Sequence, residues 1–154
     1  MIEKQIITPE NKFIDELVRV ARLSTCHRSK CGSIIIGEDD IIGIGYNSQP
    51  CDFNGECFKD KLDQNFKSDK TCCLHAEQRA ILNALKSDPN KIINSTLLFI
   101  RLDENDNPKI SGDPYCTICS KMALDVGIKW FVLLHSEGWT AYDTDYYNKL
   151  SFKL

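Results

Sequence analysis

The chain has 154 residues, with 19 Lys+Arg against 22 Asp+Glu and a formal net charge of −3. One domain, 1–154, is the expectation at this length, and 42% hydrophobic with 27% charged residues exclude a disordered or fibrous chain. Apolar runs of five residues or fewer fall short of the ~20 that span a bilayer, no signal peptide is visible after Met1, and mild acidity argues against nucleic acid as the main partner.

Thr8-Pro9-Glu10 reads as a helix start, with Thr8 as N-cap and Pro9 in the first turn. Phe13, Ile14, Leu17, Val18 and Ala21 then recur at helical spacing, so a first helix should run to about Leu23. Cys31–Ile36 and Ile41–Tyr46 read as a hairpin around Gly37-Glu38-Asp39-Asp40. Both strands are apolar on both faces, as in a sheet covered by helices. From Asn47 to Cys73 no period holds, and this long loop carries four of the eight cysteines. Leu74–Leu85 reads as a helix, Ser95–Leu102 as a strand, and Cys116–Val126 as a helix closed by Gly127. Lys129–Leu134 is a further strand and the tail, Asp143–Leu150, reads as helical. This order predicts a three-layer α/β/α sandwich with a mixed sheet.

Eight cysteines without an export signal point to a reducing compartment, the cytoplasm, where clustered thiols serve as metal ligands or redox centres. Two segments concentrate the chemistry. His75-Ala76-Glu77 opens the helix after the long loop, and Pro114-Tyr115-Cys116-Thr117-Ile118-Cys119 opens the next. Cys116 and Cys119 are three apart and share one helix face, in a first turn whose dipole favours thiolates. Two thiolates and the His75 imidazole supply three ligands for a zinc ion with its fourth position open, as in catalytic rather than closed structural sites. Glu77 is then free to take a proton from a water at that position. Cys-x-x-Cys alone would fit a knuckle or a redox pair, and His-x-Glu alone any helix start. Together they form the signature spacing of zinc nucleobase deaminases.

With these motifs the chain resembles the zinc-dependent cytidine and deoxycytidylate deaminase family, and it is closest to the deoxycytidylate (dCMP) branch. Ser24-Thr25-Cys26-His27-Arg28 leading into Gly32–Ile36 is similar to that family's passage from first helix to first strand. Gly45-Tyr46-Asn47 is similar to its substrate turn, Leu74–Leu82 to its metal helix, and the cysteine-bearing loop to dCMP deaminases in particular. Two departures stand out: Tyr115 separates Pro114 from Cys116, and Ser48 follows Asn47 where glycine is frequent. The resemblance implies a cytidine deaminase-like sandwich with about five strands, assembled as a homo-oligomer.

It also implies that Asn47 contacts the sugar and that the peptide groups around Ala76 hold the pyrimidine. Arg28 is a candidate phosphate ligand because a guanidinium fork fits that anion; Lys30 is a weaker one. Cys51, Cys57, Cys72 and Cys73, with Cys26 or His27, form a candidate second, structural zinc set. His135 reads as a strand-end residue. Trp130, Phe131, Trp139, Tyr142, Tyr146, Tyr147 and Phe152 read mainly as core or subunit contact.

The expected reaction is hydrolytic deamination of a cytosine nucleotide, dCMP to dUMP plus ammonia. His75, Cys116 and Cys119 would hold Zn2+, and Glu77 would serve as base and acid. The alternatives are deaminases of cytidine, guanine, a pterin or riboflavin precursor or a tRNA adenosine, and a non-catalytic zinc module. Neither a membrane nor nucleic acid is an expected partner.

Overall fold

Phe13, Leu17, Val20 and Ala21 recur every three or four residues and are the buried face of α1 (Asn11–Arg22). In this computed structural model residues 2–26, 28–53, 55–56, 58–61 and 72–153 are described, so His27 and Cys57 lie outside the described residues. The helix starts later than expected. Glu10, not Thr8, is its N-cap, with the Glu10 carbonyl accepting from Phe13 at 3.0 Å and Ile14 at 3.2 Å. Thr8 and Pro9 are instead used in leaving a short strand, β1 (Lys4–Ile7), that its mostly exposed side chains leave without a visible pattern.

The remaining strands are β2 (Cys31–Gly37), β3 (Asp40–Tyr46), β4 (Thr96–Leu102), β5 (Pro108–Lys109), β6 (Trp130–His135) and β7 (Gly138–Asp143). They form one mixed sheet in the order β1-β7-β6-β4-β2-β3, with β5 added to β4. Only the β4–β6 pair is parallel; the others are antiparallel. The sheet therefore has seven strands rather than about five. β1 and the two-residue β5 are too short and exposed to show as a period. β7 sits in the aromatic-rich stretch and forms a second hairpin with β6, from which His135 pairs with Gly138 at the turn.

Successive residues of a strand face opposite sides, and the two faces bury separate clusters. Ile34, Leu98, Ile100, Val132 and Ala141 pack with α1. Ile35, Leu97, Phe99, Phe131 and Leu133 pack with α2 (Ala76–Ser87), α3 (Thr117–Asp125) and α4 (Thr144–Ser151). Helices on both faces of the sheet make the expected three layers. Each fully buried leucine or isoleucine contributes roughly 1.5–3 kcal/mol, so this core holds the frame on which the site is mounted. Among the described residues no helix is long and apolar enough to cross a membrane.

Two glycines bring α2 onto the sheet. A Cβ on Gly43 would stand 2.5 Å from the Ala80 carbonyl oxygen, and one on Gly45 would collide with the Ala76 carbonyl and the Ala80 amide. Only glycine allows a helix to lie this close. The first turn of α2 is thereby pressed against the end of β3.

Candidate functional site

His75 and Cys116 are the N-caps of α2 and α3, so both chemistry-bearing segments end in helix N-termini. The His75 amide donates to the Gln78 side-chain oxygen at 2.9 Å, closing the first turn of α2. Gln78 thus orients the residue that carries the imidazole. On α3, the Cys116 carbonyl accepts from the Ser120 amide at 3.1 Å, which fixes Cys116 and Cys119 on one face.

The two segments meet. His75 Nδ1 stands 3.2 Å from Cys116 Sγ and 3.3 Å from Cys119 Sγ, and the sulfurs are 3.2 Å apart. Among the described residues, this is the group of three or more His, Cys, Asp or Glu whose ligand atoms lie within 4.8 Å of one another. A tetrahedral zinc with ligand bonds of about 2.0 Å to nitrogen and 2.3 Å to sulfur spaces its donors roughly 3.5–3.8 Å apart. The observed triangle is a few tenths of an ångström tighter, and its imidazole and two thiols are a zinc donor set. The residues fit the metal.

Electrostatics agree with a site built for a cation. The bond from Cys119 and the neighbouring His75 draw the Cys116 thiol down to about 4. Cys119, fully enclosed, is pushed up by its bond to Cys116 and by burial. Glu77 is only 5% exposed, although a carboxylate is rarely buried without a partner of opposite charge. Burial, and next the Cys116 charge, raise its carboxyl above the ordinary range. A buried carboxyl beside an open donor set is placed to pass a proton.

Of the cluster, His75 and Cys116 line a cleft of about 660 Å³, with Cys119 buried behind them. It opens at the carboxyl ends of the parallel strands β4 and β6, where Phe99, Arg101 and Leu133 reach into it. Ligands of α/β sheets bind at such an edge. Glu77, His75, Cys116, Ala76, Asn47 and Arg28 all line this cleft. Asn47 is held rigidly there: its Nδ2 donates to the Ser29 carbonyl at 2.7 Å, and its Oδ1 accepts from the Cys31 amide at 2.8 Å. The Ser24 hydroxyl lies 2.6 Å from the same Oδ1. Lys30 is directed elsewhere, paired with Asp106 at 3.2 Å.

Of the candidate second zinc set, Cys72 and Cys73 line the cleft and Cys51 is exposed. None of the three joins a three-ligand group among the described residues. Cleft residues that the sequence did not single out include Ser29, Phe99, Arg101, Asp113, Leu133 and Lys153. The strand period carried part of that signal. Leu97, Phe99 and Arg101 alternate along β4, so Arg101 shares the α2 side with Phe99. Tyr147, read as core or subunit contact, is buried, stacks on Phe131 at 4.0 Å between ring centroids and also borders the cleft.

An α/β/α sandwich with a His-Cys-Cys set at two helix N-termini and a buried glutamate beside it defines a metal-binding α/β protein. The model of the cytidine and deoxycytidylate deaminase zinc-binding region matches residues 7–135, and the chain belongs to that family. A deoxycytidylate deaminase of Saccharomyces cerevisiae is 35% identical over 81 residues, 49% of this chain and 25% of the yeast protein. The match thus spans about a quarter of that curated relative's length. The dCMP deaminase of cyanophage S-TIM5, solved in apo form and in complex with dCMP and dUMP, is 25% identical, with TM-scores of 0.53 and 0.52. Each alignment covers 80% of this chain and 82% of the phage chain. A cytidine deaminase from Burkholderia pseudomallei shares the fold at 11% identity and a TM-score of 0.57, over 90% of this chain and 96% of its own.

Proposed function

We propose that the protein is a zinc-dependent deaminase of cytosine nucleotides, converting dCMP and water to dUMP and ammonia. The observation that carries this reading is the buried Glu77, lining the cleft beside the His75–Cys116–Cys119 triangle. A structural metal site has no use for such a carboxylate. The deoxycytidylate relatives support the choice of base and nucleotide.

His75, Cys116 and Cys119 would hold one Zn2+ per chain. When bound, the ion acidifies a water molecule and leaves it a strong nucleophile near neutral pH. Glu77 would take one proton from that water and pass it to ring N3, then take the second from the hydroxyl newly bonded to the ring carbon and pass it to the amino nitrogen, which leaves as ammonia. Phe99 and Leu133 give the base an apolar surface and keep bulk water from the reacting carbon. The peptide groups around Ala76 hold the pyrimidine edge, and Asn47, locked by its bonds to Ser29 and Cys31, meets the sugar. Arg28 takes the phosphate; Arg101 and Lys153 bring two further cations to the same cleft.

The same reading makes the chain a single deaminase domain acting in the cytoplasm on a small molecule, as a homo-oligomer. Cys51, Cys72 and Cys73 have no assigned part in it. The test is ammonia release by zinc-quantified protein offered cytidine, CMP, deoxycytidine and dCMP side by side. Preference for dCMP is expected. Turnover of nucleosides alone would remove the phosphate role from Arg28, and silence on all four with one zinc bound would overturn the activity.

A further inference from the structure

Arg79 lies two residues beyond Glu77 on α2, and its side chain is 20% exposed. Its guanidinium does not point to solvent. Nη1 donates to the Tyr46 carbonyl at 3.0 Å and to the Ser48 hydroxyl; Nη2 donates to the Gln49 carbonyl at 3.1 Å and reaches the Ser48 carbonyl at 3.4 Å. The Asp52 carboxylate is 3.5 Å from Nη1, and the guanidinium stands 5.2 Å from the centre of the Tyr46 ring. An isolated exposed Arg–Asp pair contributes little. This is a different object: one planar fork gathers acceptors from Tyr46, Ser48 and Gln49, which a lysine cannot do.

Those acceptors stand at the neck of the long cysteine-bearing segment. Ser48, fully buried, pairs with Leu74, whose amide donates to the Ser48 carbonyl at 2.9 Å. Ser48 and Leu74 therefore join the two sides of that segment at one point. On the outgoing side is Asn47 and on the returning side are Leu74 and His75; all three line the cleft. Just beyond the neck, Cys51 and Asp52 both have φ of 57°, a left-handed conformation that costs energy for residues other than glycine. Two such residues in succession persist where their surroundings hold them. Asp52 is held by the Tyr46 hydroxyl at 2.7 Å, the Ser48 hydroxyl at 2.6 Å and Arg79.

We propose that Arg79 is a positioning residue: it clamps the Ser48–Leu74 neck to the helix that carries Glu77 and so sets the span between Asn47 and His75 across which substrate binds. The role acts on substrate binding rather than on the metal, and it rests on the deaminase reading for its kinetic consequence. Arg79 itself touches neither ligand triangle nor reacting atoms in this assignment.

The test compares wild type with Arg79→Lys, which keeps the charge and the stem but loses the fork. Kinetics are measured with dCMP, zinc is counted per chain, and amide hydrogen exchange is followed at Asp52, Phe53 and Leu74. The expected result is a KM for dCMP raised about tenfold with kcat within about twofold, the pattern of lost binding with intact chemistry. Zinc stays at the wild-type count, and the Leu74 amide exchanges faster while the amides of α2 do not. An unchanged KM, or a fall in kcat or zinc with KM unchanged, overturns the proposal. If wild type releases no ammonia from dCMP, the deaminase reading falls by itself, and the exchange data still decide the clamp. Faster exchange at Leu74 in Arg79→Lys then upholds it and unaltered exchange overturns it.

Discussion

Gly45 has no room for a side chain because the Ala76 carbonyl, at the first turn of α2, occupies the place a Cβ would take. This contact sets the height of α2 above β3, and with it the positions of His75 and Glu77 on either side of Ala76. Gly45→Ala should force the helix outward. The expected cost is about 1–3 kcal/mol of stability, as for overpacking elsewhere, together with weaker zinc retention. Chemical denaturation and metal analysis after dialysis check both.

Glu77→Gln should keep the zinc and lose the reaction. Glutamine preserves the shape of the buried side chain but cannot take a proton, and a positioned acid–base group contributes typically ~10²–10⁴-fold. Turnover of dCMP and zinc per chain are measured on the same sample. An active, zinc-replete Glu77→Gln enzyme would sink the mechanism.

Removing the metal should abolish activity without unfolding the protein, because the two apolar clusters on either face of the sheet do not depend on it. Bound metal stabilises only by its preference for the folded state. The expected outcome of chelation is a lower Tm with a retained cooperative transition, reversed by added Zn2+. Cys116→Ser should show the lower Tm with no recovery at the same zinc concentration.

Gly112 lines the cleft, and a Cβ built on it meets nothing within 4 Å. Gly112→Val should therefore fold with stability within about 0.5 kcal/mol of wild type, while its side chain narrows the cleft. A raised KM for dCMP with an unchanged Tm is expected; unaltered KM would mean that substrate does not pass this wall.

Asp143 caps α4, accepting from the Asp145 amide at 3.0 Å, and pairs with Lys129 at 2.6 Å. Burial alone would raise its carboxyl, but the bonds from Lys129 and the Tyr146 and Asp145 amides outweigh it and hold the carboxyl below its ordinary value. A group depressed in the folded state contributes stability that is present above its unfolded pKa of about 3.9 and lost as pH falls through the lower folded one. Wild type and Asp143→Asn should therefore differ in unfolding free energy at neutral pH and converge in strong acid. Urea titrations across pH 2–7 would read this; parallel curves would contradict it.

Much of the site was legible in the chain because its spacing is local. His75-x-Glu77 and Cys116-x-x-Cys119 each fall within one helical turn, and a turn needs no tertiary information to bring its residues to one face. The β2–β3 hairpin and the helices behind it were legible for the same reason, from periods of 2 and 3.6. What distant segments do to one another is set only when the chain has folded. β1 has mostly exposed side chains and exists because β7 offers it a partner edge. Arg101 is an ordinary strand residue until the register opposite Cys31 brings it to the cleft. Arg79 looks like a solvated charge on a helix until the fold sets the Ser48–Leu74 neck beneath it. Local pattern specifies turns and faces, whereas register, packing height and the meeting of two helix N-termini depend on the whole core closing at once.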